Sequence, residues 1–146
     1  MNHFRLPTPL APGDKIYVAA RFERQAEARG VAQELEEHGY TVTSRWLAAE
    51  GLMVGDPIKA AAWAEKDLYD LLCADVYLLL SDNVPSRGGK DFEGGVAWAR
   101  GLKLIIVGPP NHVFHYLANE LGRVTRVRDL AEFRFLFLDG EKIDDM

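Results

Sequence analysis

Two stretches of the chain, Val76 to Leu80 and Leu102 to Val107, are apolar at nearly every position. A strand that is apolar on both faces must be covered on both faces, which is the situation of a parallel sheet packed between layers of helix. Ile16-Tyr17-Val18-Ala19-Ala20 is a third run of the same kind. The polar, Glu-, Arg- and Ala-rich stretch from Glu23 to His38 behind it suits a helix, and Gly39 is placed to stop it. Thr41-Val42-Thr43-Ser44-Arg45 alternates and is β-branched, so it predicts a second strand with one more polar face. The opening unit is therefore β-α-β.

Asp56 is a good N-cap with Pro57 at the first helical position. From there to Ala74, apolar residues at Ile58, Ala61, Leu68, Leu71 and Leu72 mark an amphipathic helix. A strand over Asp75 to Leu80, a polar loop over Asp82 to Gly89, a short helix over Lys90 to Arg100 and a strand over Lys103 to Val107 continue the alternation. Leu130 to Leu138 fits both periods. Phe133, Phe135 and Phe137 alternate as in a strand, while Leu130, Phe133 and Phe137 are spaced as in a helix, and the helix is preferred. The expected fold is α/β: a doubly wound, five-stranded parallel sheet in flavodoxin-like order, with helices on both faces. Pro7, Pro9, Pro12 and Gly13 mark residues 1–14 as an arm, leaving a single domain over 15–146 whose acidic end, Asp144-Asp145-Met146, is expected to fray.

Composition changes this picture mainly by exclusion. The 146 residues carry 17 Lys and Arg against 22 Asp and Glu, a net charge of −5, with the arginines scattered. A nucleic-acid polymer, which calls for a clustered basic surface, is an unsuitable partner, and small molecules move up. The apolar runs fall far short of the roughly 20 residues of a membrane span, and no signal-peptide pattern opens the chain, so a cytoplasmic protein is expected. Cys73 is the single cysteine. It forms no internal disulfide, and its setting in Leu71-Leu72-Cys73-Ala74 reads as core packing. His112 and His115 lack a clear third ligand, so no metal is expected.

In open α/β sheets ligands bind beyond the carboxyl ends of the strands, here Ala20 to Glu23, Arg45 to Leu47, Ser81 to Phe92 and Gly108 to His112. The richest of these segments is Ser81-Asp82-Asn83-Val84-Pro85-Ser86-Arg87-Gly88-Gly89-Lys90-Asp91-Phe92-Glu93-Gly94-Gly95. It is a glycine-rich loop opening a helix, able to bring backbone N–H groups close to a ligand. Its spacing is neither that of a P-loop nor that of a dinucleotide fingerprint. Phe92, Gly95, Val96 and Ala99 form the expected buried stripe of that helix, which sets Glu93 at its edge, facing the crevice or simply complementing the helix N-terminus. On the preceding helix, about 100° per residue with Leu68 at the centre of the apolar stripe puts Asp67 at the boundary and Asp70 nearly opposite, as a solvated partner of Lys66. Trp46 is either a rim-packing aromatic or a platform for a planar ring, and Tyr17 is core with a hydroxyl that needs a partner.

Taken together, these segments resemble the nucleoside 2-deoxyribosyltransferase family and its sister group, the 2′-deoxynucleoside 5′-monophosphate N-glycosidases. The resemblance covers about residues 15–117. It rests on Lys15-Ile16-Tyr17-Val18-Ala19-Ala20, on Glu65-Lys66-Asp67-Leu68 before Ala74-Asp75-Val76, and above all on Gly89-Lys90-Asp91-Phe92-Glu93-Gly94-Gly95-Val96-Ala97 with Arg100-Gly101-Leu102-Lys103 leading into a strand. The last segment is similar to the family pattern Gly-x-x-(Phe/Tyr)-Glu-x-Gly-x-Ala.

The resemblance implies that Glu93 is a carboxylate nucleophile forming a covalent glycosyl-enzyme, that Asp67 positions or protonates the nucleobase, and that Tyr17 holds the nucleophile. It implies that Asp82 takes part in base binding and protonation, as in the transferase branch. Ser86, Gly88, Gly89, Trp46, Arg21 and Asn111 complete the expected substrate-binding set, with Asn111 matching a residue that reaches a neighbouring subunit's site in the transferases. Arg87 and Lys90 give the loop a positive charge that favours a phosphorylated substrate, while two departures stand out: the Ser86-to-Glu93 spacing is one residue longer than in the monophosphate hydrolases, and Ala19-Ala20-Arg21 stands where their first turn is rich in Gly and Ser. The implied partners are a deoxynucleoside or deoxynucleotide and a free nucleobase, with no cofactor, no membrane, and a homodimer or higher homo-oligomer. Transfer to a base, hydrolysis by water, and nucleotide sensing without turnover all stay open.

Overall fold

The computed structural model describes residues 10–50, 55–84, 88–116 and 123–139. Most of the expected arm, residues 1–9, and the acidic end lie outside the described residues, and Leu10 is already packed into the core. Five strands, β1 (Lys15–Ala19), β2 (Thr41–Val42), β3 (Val76–Leu80), β4 (Lys103–Val107) and β5 (Val124–Val127), pair in parallel in the order β2-β1-β3-β4-β5. This is the flavodoxin-like order expected from the sequence. β3 is buried at every residue, as a central strand between two helix layers must be.

Among the described residues four α-helices connect and cover the sheet: α1 (Gln25–Glu37), α2 (Pro57–Leu72), α3 (Gly89–Ala99) and α4 (Leu130–Phe133), the last running on into a π-helical turn, Arg134–Leu138. The C-terminal segment thus follows the helical of its two periods. α2 starts where the sequence places it, with the Asp56 carboxylate accepting from the backbone N–H groups of Ile58 (3.1 Å) and Lys59 (3.2 Å). Register sets Tyr17 beside Tyr77 and Tyr77 beside Leu104, so these side chains share one sheet face, the face on which α3 lies. α1 and the α4 segment are joined to each other by Arg134 Nε and Glu34 Oε1, 2.9 Å apart.

Five expectations are corrected. β2 has two residues rather than five. Thr43 N–H still bonds Ile16 O at 2.9 Å, but the Ser44 hydroxyl then accepts from Val18 N–H at 2.6 Å, taking the place of the next backbone acceptor and ending the ladder. Asp70 is buried, not solvated: its carboxylate accepts from Arg45 N–H (3.0 Å) and from Arg45 Nε (2.9 Å), so a satisfied carboxylate points inward with Leu71. The supposed centre of the α2 stripe, Leu68, and its neighbours Ile58 and Leu72 are exposed. On α3 the buried positions are Glu93 and Ala97, while Phe92 is 64% exposed, so the helix is turned one residue from the expected stripe. Cys73, read as core, is exposed at the end of α2.

The loops at the carboxyl edge are drawn together by hydrogen bonds. The Ser81 hydroxyl donates to Pro109 O (2.6 Å), and Asn111 Nδ2 donates to Asp82 O (2.8 Å). Gly108 makes the approach possible, because its φ is +112° and a Cβ there would lie 2.5 Å from Ser81 O.

Candidate active site

Tyr17 extends from the middle of β1 toward α3, and its hydroxyl donates to Glu93 Oε2 at 2.5 Å in a fully enclosed setting. The other carboxylate oxygen, Oε1, is 2.7 Å from Lys90 Nζ, one helical turn back. Lys90 in turn is steadied through its backbone, since Tyr77 Oη donates to Lys90 O at 3.2 Å, and its ammonium lies 5.7 Å from the Trp46 ring centroid. A buried carboxylate is tolerable only when paired and hydrogen-bonded, and Glu93 has both kinds of partner. Burial and the Glu93 charge push the Tyr17 hydroxyl well above the usual phenol range, with Asp67 adding to them, so the proton stays on Tyr17 and the hydrogen bond keeps its direction.

Asp67 is the second carboxylate of the cluster. It is half-buried on α2, and its Oδ1 is enclosed without a hydrogen-bond partner among the described residues. Burial, followed by repulsion from Glu93, raises its carboxyl from 3.8 to about 6, against the opposing pull of Lys90. One carboxylate held by two donors and another left without one are the arrangement that separates a nucleophile from an acid.

Asp82, Arg21 and Arg24 form a second charged group at the end of β3. Arg21 Nε donates to Asp82 Oδ2 at 2.7 Å, and Arg24 Nη1 lies 3.6 Å from the same oxygen. Burial pushes the Asp82 carboxyl up, but bonds from Arg21 and from Val84 N–H, with the charges of both arginines, outweigh it and hold the carboxyl below its usual value. Asp82 is therefore an acceptor rather than a proton donor at neutral pH.

Trp46 is buried, with Nε1 donating to Val18 O at 2.7 Å, and it flanks the site with the face nearest Lys90. Gly88, at φ +104°, caps α3 in the left-handed conformation, and Gly89 begins the helix. Ser86 lies outside the described residues. Asn111 spends its amide on the chain's own loop, donating to the carbonyls of Asp82 and Val84.

Tyr77 and Arg24 were not singled out from the sequence, and Lys90 was read there only as a loop charge suited to a phosphorylated substrate, not as a partner of Glu93. The i, i+3 spacing of Lys90 and Glu93 was visible, as was a tyrosine in each of two neighbouring strands; the register that sets the two tyrosines side by side was not. A cavity of about 340 Å³ lies between α3, Phe114 and the β3–β4 surface, with Tyr77 and Lys90 in its lining and His112 and His115 at its wall. Burial and the neighbouring His112 lower the His115 pKa, which keeps the His115 ring neutral near pH 7. Among the described residues no three His, Cys, Asp or Glu side chains gather as metal ligands, and no helix is long and apolar enough to cross a membrane.

No protein-family model and no curated protein matches the sequence. Solved structures share the fold. The 2-deoxyribosyltransferase of the psychrotolerant bacterium Bacillus psychrosaccharolyticus is 19% identical, with a TM-score of 0.63 over 86% of this chain and 94% of that one. The CMP N-glycosidase of Clostridium botulinum is 21% identical, with a TM-score of 0.57 over 90% of this chain and 99% of that one.

Proposed function

We propose that this chain is a nucleoside 2-deoxyribosyltransferase-like enzyme that breaks the N-glycosidic bond of a 2′-deoxynucleoside or its 5′-monophosphate. The observation that carries the reading is the pair of unlike carboxylates: Glu93, held from both sides by Tyr17 and Lys90, and Asp67, without a hydrogen-bond partner on its enclosed Oδ1 and easily protonated. The two fold neighbours are named for enzymes of N-glycosidic chemistry, which supports the same reading.

In the first step a Glu93 oxygen attacks C1′ of the sugar. The C1′–N bond breaks, its electron pair goes to the base, and the base takes the proton of Asp67. Tyr17 fixes the angle of the nucleophile without surrendering its own proton. In the second step water or a second base attacks C1′, the Glu93–sugar ester bond breaks, and Asp67 recovers a proton from the incoming group. Asp82 accepts from the base or sugar at the crevice edge, and Trp46 backs the pocket.

Whether the sugar passes to a base or to water depends on which of the two reaches the ester first. A monophosphate hydrolase is thus the close alternative. In this reading a second copy covers the exposed apolar side chains Leu68 and Leu72 of α2 and Phe92 at the start of α3. The test is product chromatography on a panel of deoxynucleosides and monophosphates, with and without a different free base. Release of base that Glu93→Gln abolishes supports the reading; equal rates in the wild type and that variant remove Glu93 as nucleophile. Sedimentation that finds only monomer at micromolar concentration removes the second copy.

A further inference from the structure

Lys90 is a cation pressed against the very oxygen that has to react. Its Nζ is 2.7 Å from Glu93 Oε1, while Oε2 is taken by Tyr17. The ammonium sits toward the opening and the carboxylate inside, with side-chain exposures of 28% and 11%. The Lys90 backbone is held by Tyr77 Oη, so the four-carbon stem is the part able to swing. Among the described residues the other arginines around the crevice are committed: Arg21 and Arg24 to Asp82 and Glu27, and Arg45 to Asp70.

A lysine left in this place opposes the chemistry. As Glu93 forms its ester it loses the negative charge that Lys90 neutralises, and the sugar becomes cationic beside the ammonium. Both changes are unfavourable unless the ammonium moves to another anion. A sugar hydroxyl is neutral and offers no compensation; a phosphate monoester does, as a point-charge partner for lysine.

Resting on Glu93 as nucleophile, we infer that Lys90 selects 5′-monophosphates: the substrate phosphate draws Nζ away from Oε1 and so frees that oxygen to attack C1′. Without a phosphate, Lys90 stays on Glu93 and restrains it. Lys90 is thus both the phosphate contact and the restraint on the nucleophile.

The experiment compares kcat/KM for base release from the four common 2′-deoxynucleosides and their 5′-monophosphates. It uses the wild type, Lys90→Met, Lys90→Arg and the Glu93→Gln blank, with circular dichroism confirming the fold of each. The wild type prefers monophosphates. Lys90→Met, which keeps the stem and removes the charge, loses about 10–100-fold on monophosphates, the worth of one charge-assisted hydrogen bond, while nucleosides become faster. Lys90→Arg keeps the monophosphate preference. A monophosphate-to-nucleoside ratio unchanged in Lys90→Met, both substrates slowed alike, or a wild type indifferent to the phosphate overturns the assignment while leaving Glu93 in place. Absence of Glu93-dependent release from every substrate overturns the nucleophile reading and this assignment with it.

Discussion

Replacing Asp67 by asparagine separates stability from catalysis in opposite directions. The rise of its carboxyl from 3.8 to about 6 corresponds to about 3 kcal/mol of unfavourable interaction of the charged form. Asp67 is only half-buried, and water screening cuts this to about 1–2 kcal/mol. The sign follows from proton binding: between 3.8 and about 6 the folded state holds the Asp67 proton more tightly than the unfolded state. Stability is therefore lost as the pH rises through that window. Asp67→Asn keeps the shape and removes the charge. Relative to wild type it gains nothing below about pH 3.8 and the full increment above about pH 6, equivalent to about 3–6 °C in Tm.

In the same variant the proton donor to the leaving base is gone, and kcat falls about 10²–10⁴-fold. The assay is urea unfolding of both proteins at pH 3.5, 5 and 7.5, with base release measured at pH 5.5. Wild-type kcat/KM for base release also falls as the pH rises past about 6, where Asp67 loses its proton. Equal stability of the two proteins at pH 7.5 refutes the reasoning, since it means that the Asp67 carboxylate is as well solvated folded as unfolded. A stabilised variant with undiminished activity keeps the electrostatics and removes the acid role.

Three further outcomes follow from the geometry. Tyr17→Phe removes the hydroxyl on Glu93 Oε2 and leaves a buried carboxylate short of a donor; it costs about 1–3 kcal/mol in chemical denaturation and lowers kcat more than it raises KM. Asp70→Ala leaves the Arg45 N–H without its acceptor and destabilises by about 1–3 kcal/mol in the same assay, with kcat per folded molecule close to wild type, unlike Asp67→Asn. Gly108→Ala drives a methyl to 2.5 Å from Ser81 O at a φ of +112° and lowers stability by about 2–4 kcal/mol, measurable as a fall in Tm.

The sequence by itself determined the layered architecture. Runs that are apolar on both faces, such as Val76 to Leu80, have no stable place except inside a parallel sheet, and Asp56-Pro57 and Gly39 mark helix ends by local chemistry alone. The Glu93 segment was legible for the same reason, as a glycine-rich loop and carboxylate at the carboxyl edge of a strand. The helix faces were not. Periodicity ranks Asp70 outside and Leu68 inside because it counts hydrophobicity and cannot count hydrogen bonds. Arg45 satisfies Asp70 from 25 residues away, and Leu68, Leu72 and Phe92 are left facing outward. The site itself belongs to the tertiary structure. Only the side-by-side register of β1 and β3, with α3 laid across them, brings Tyr17 to Glu93 over 76 residues of chain and sets Asp67 where burial moves its pKa. Those quantities depend on distance and dielectric, which do not exist along the chain until it is folded.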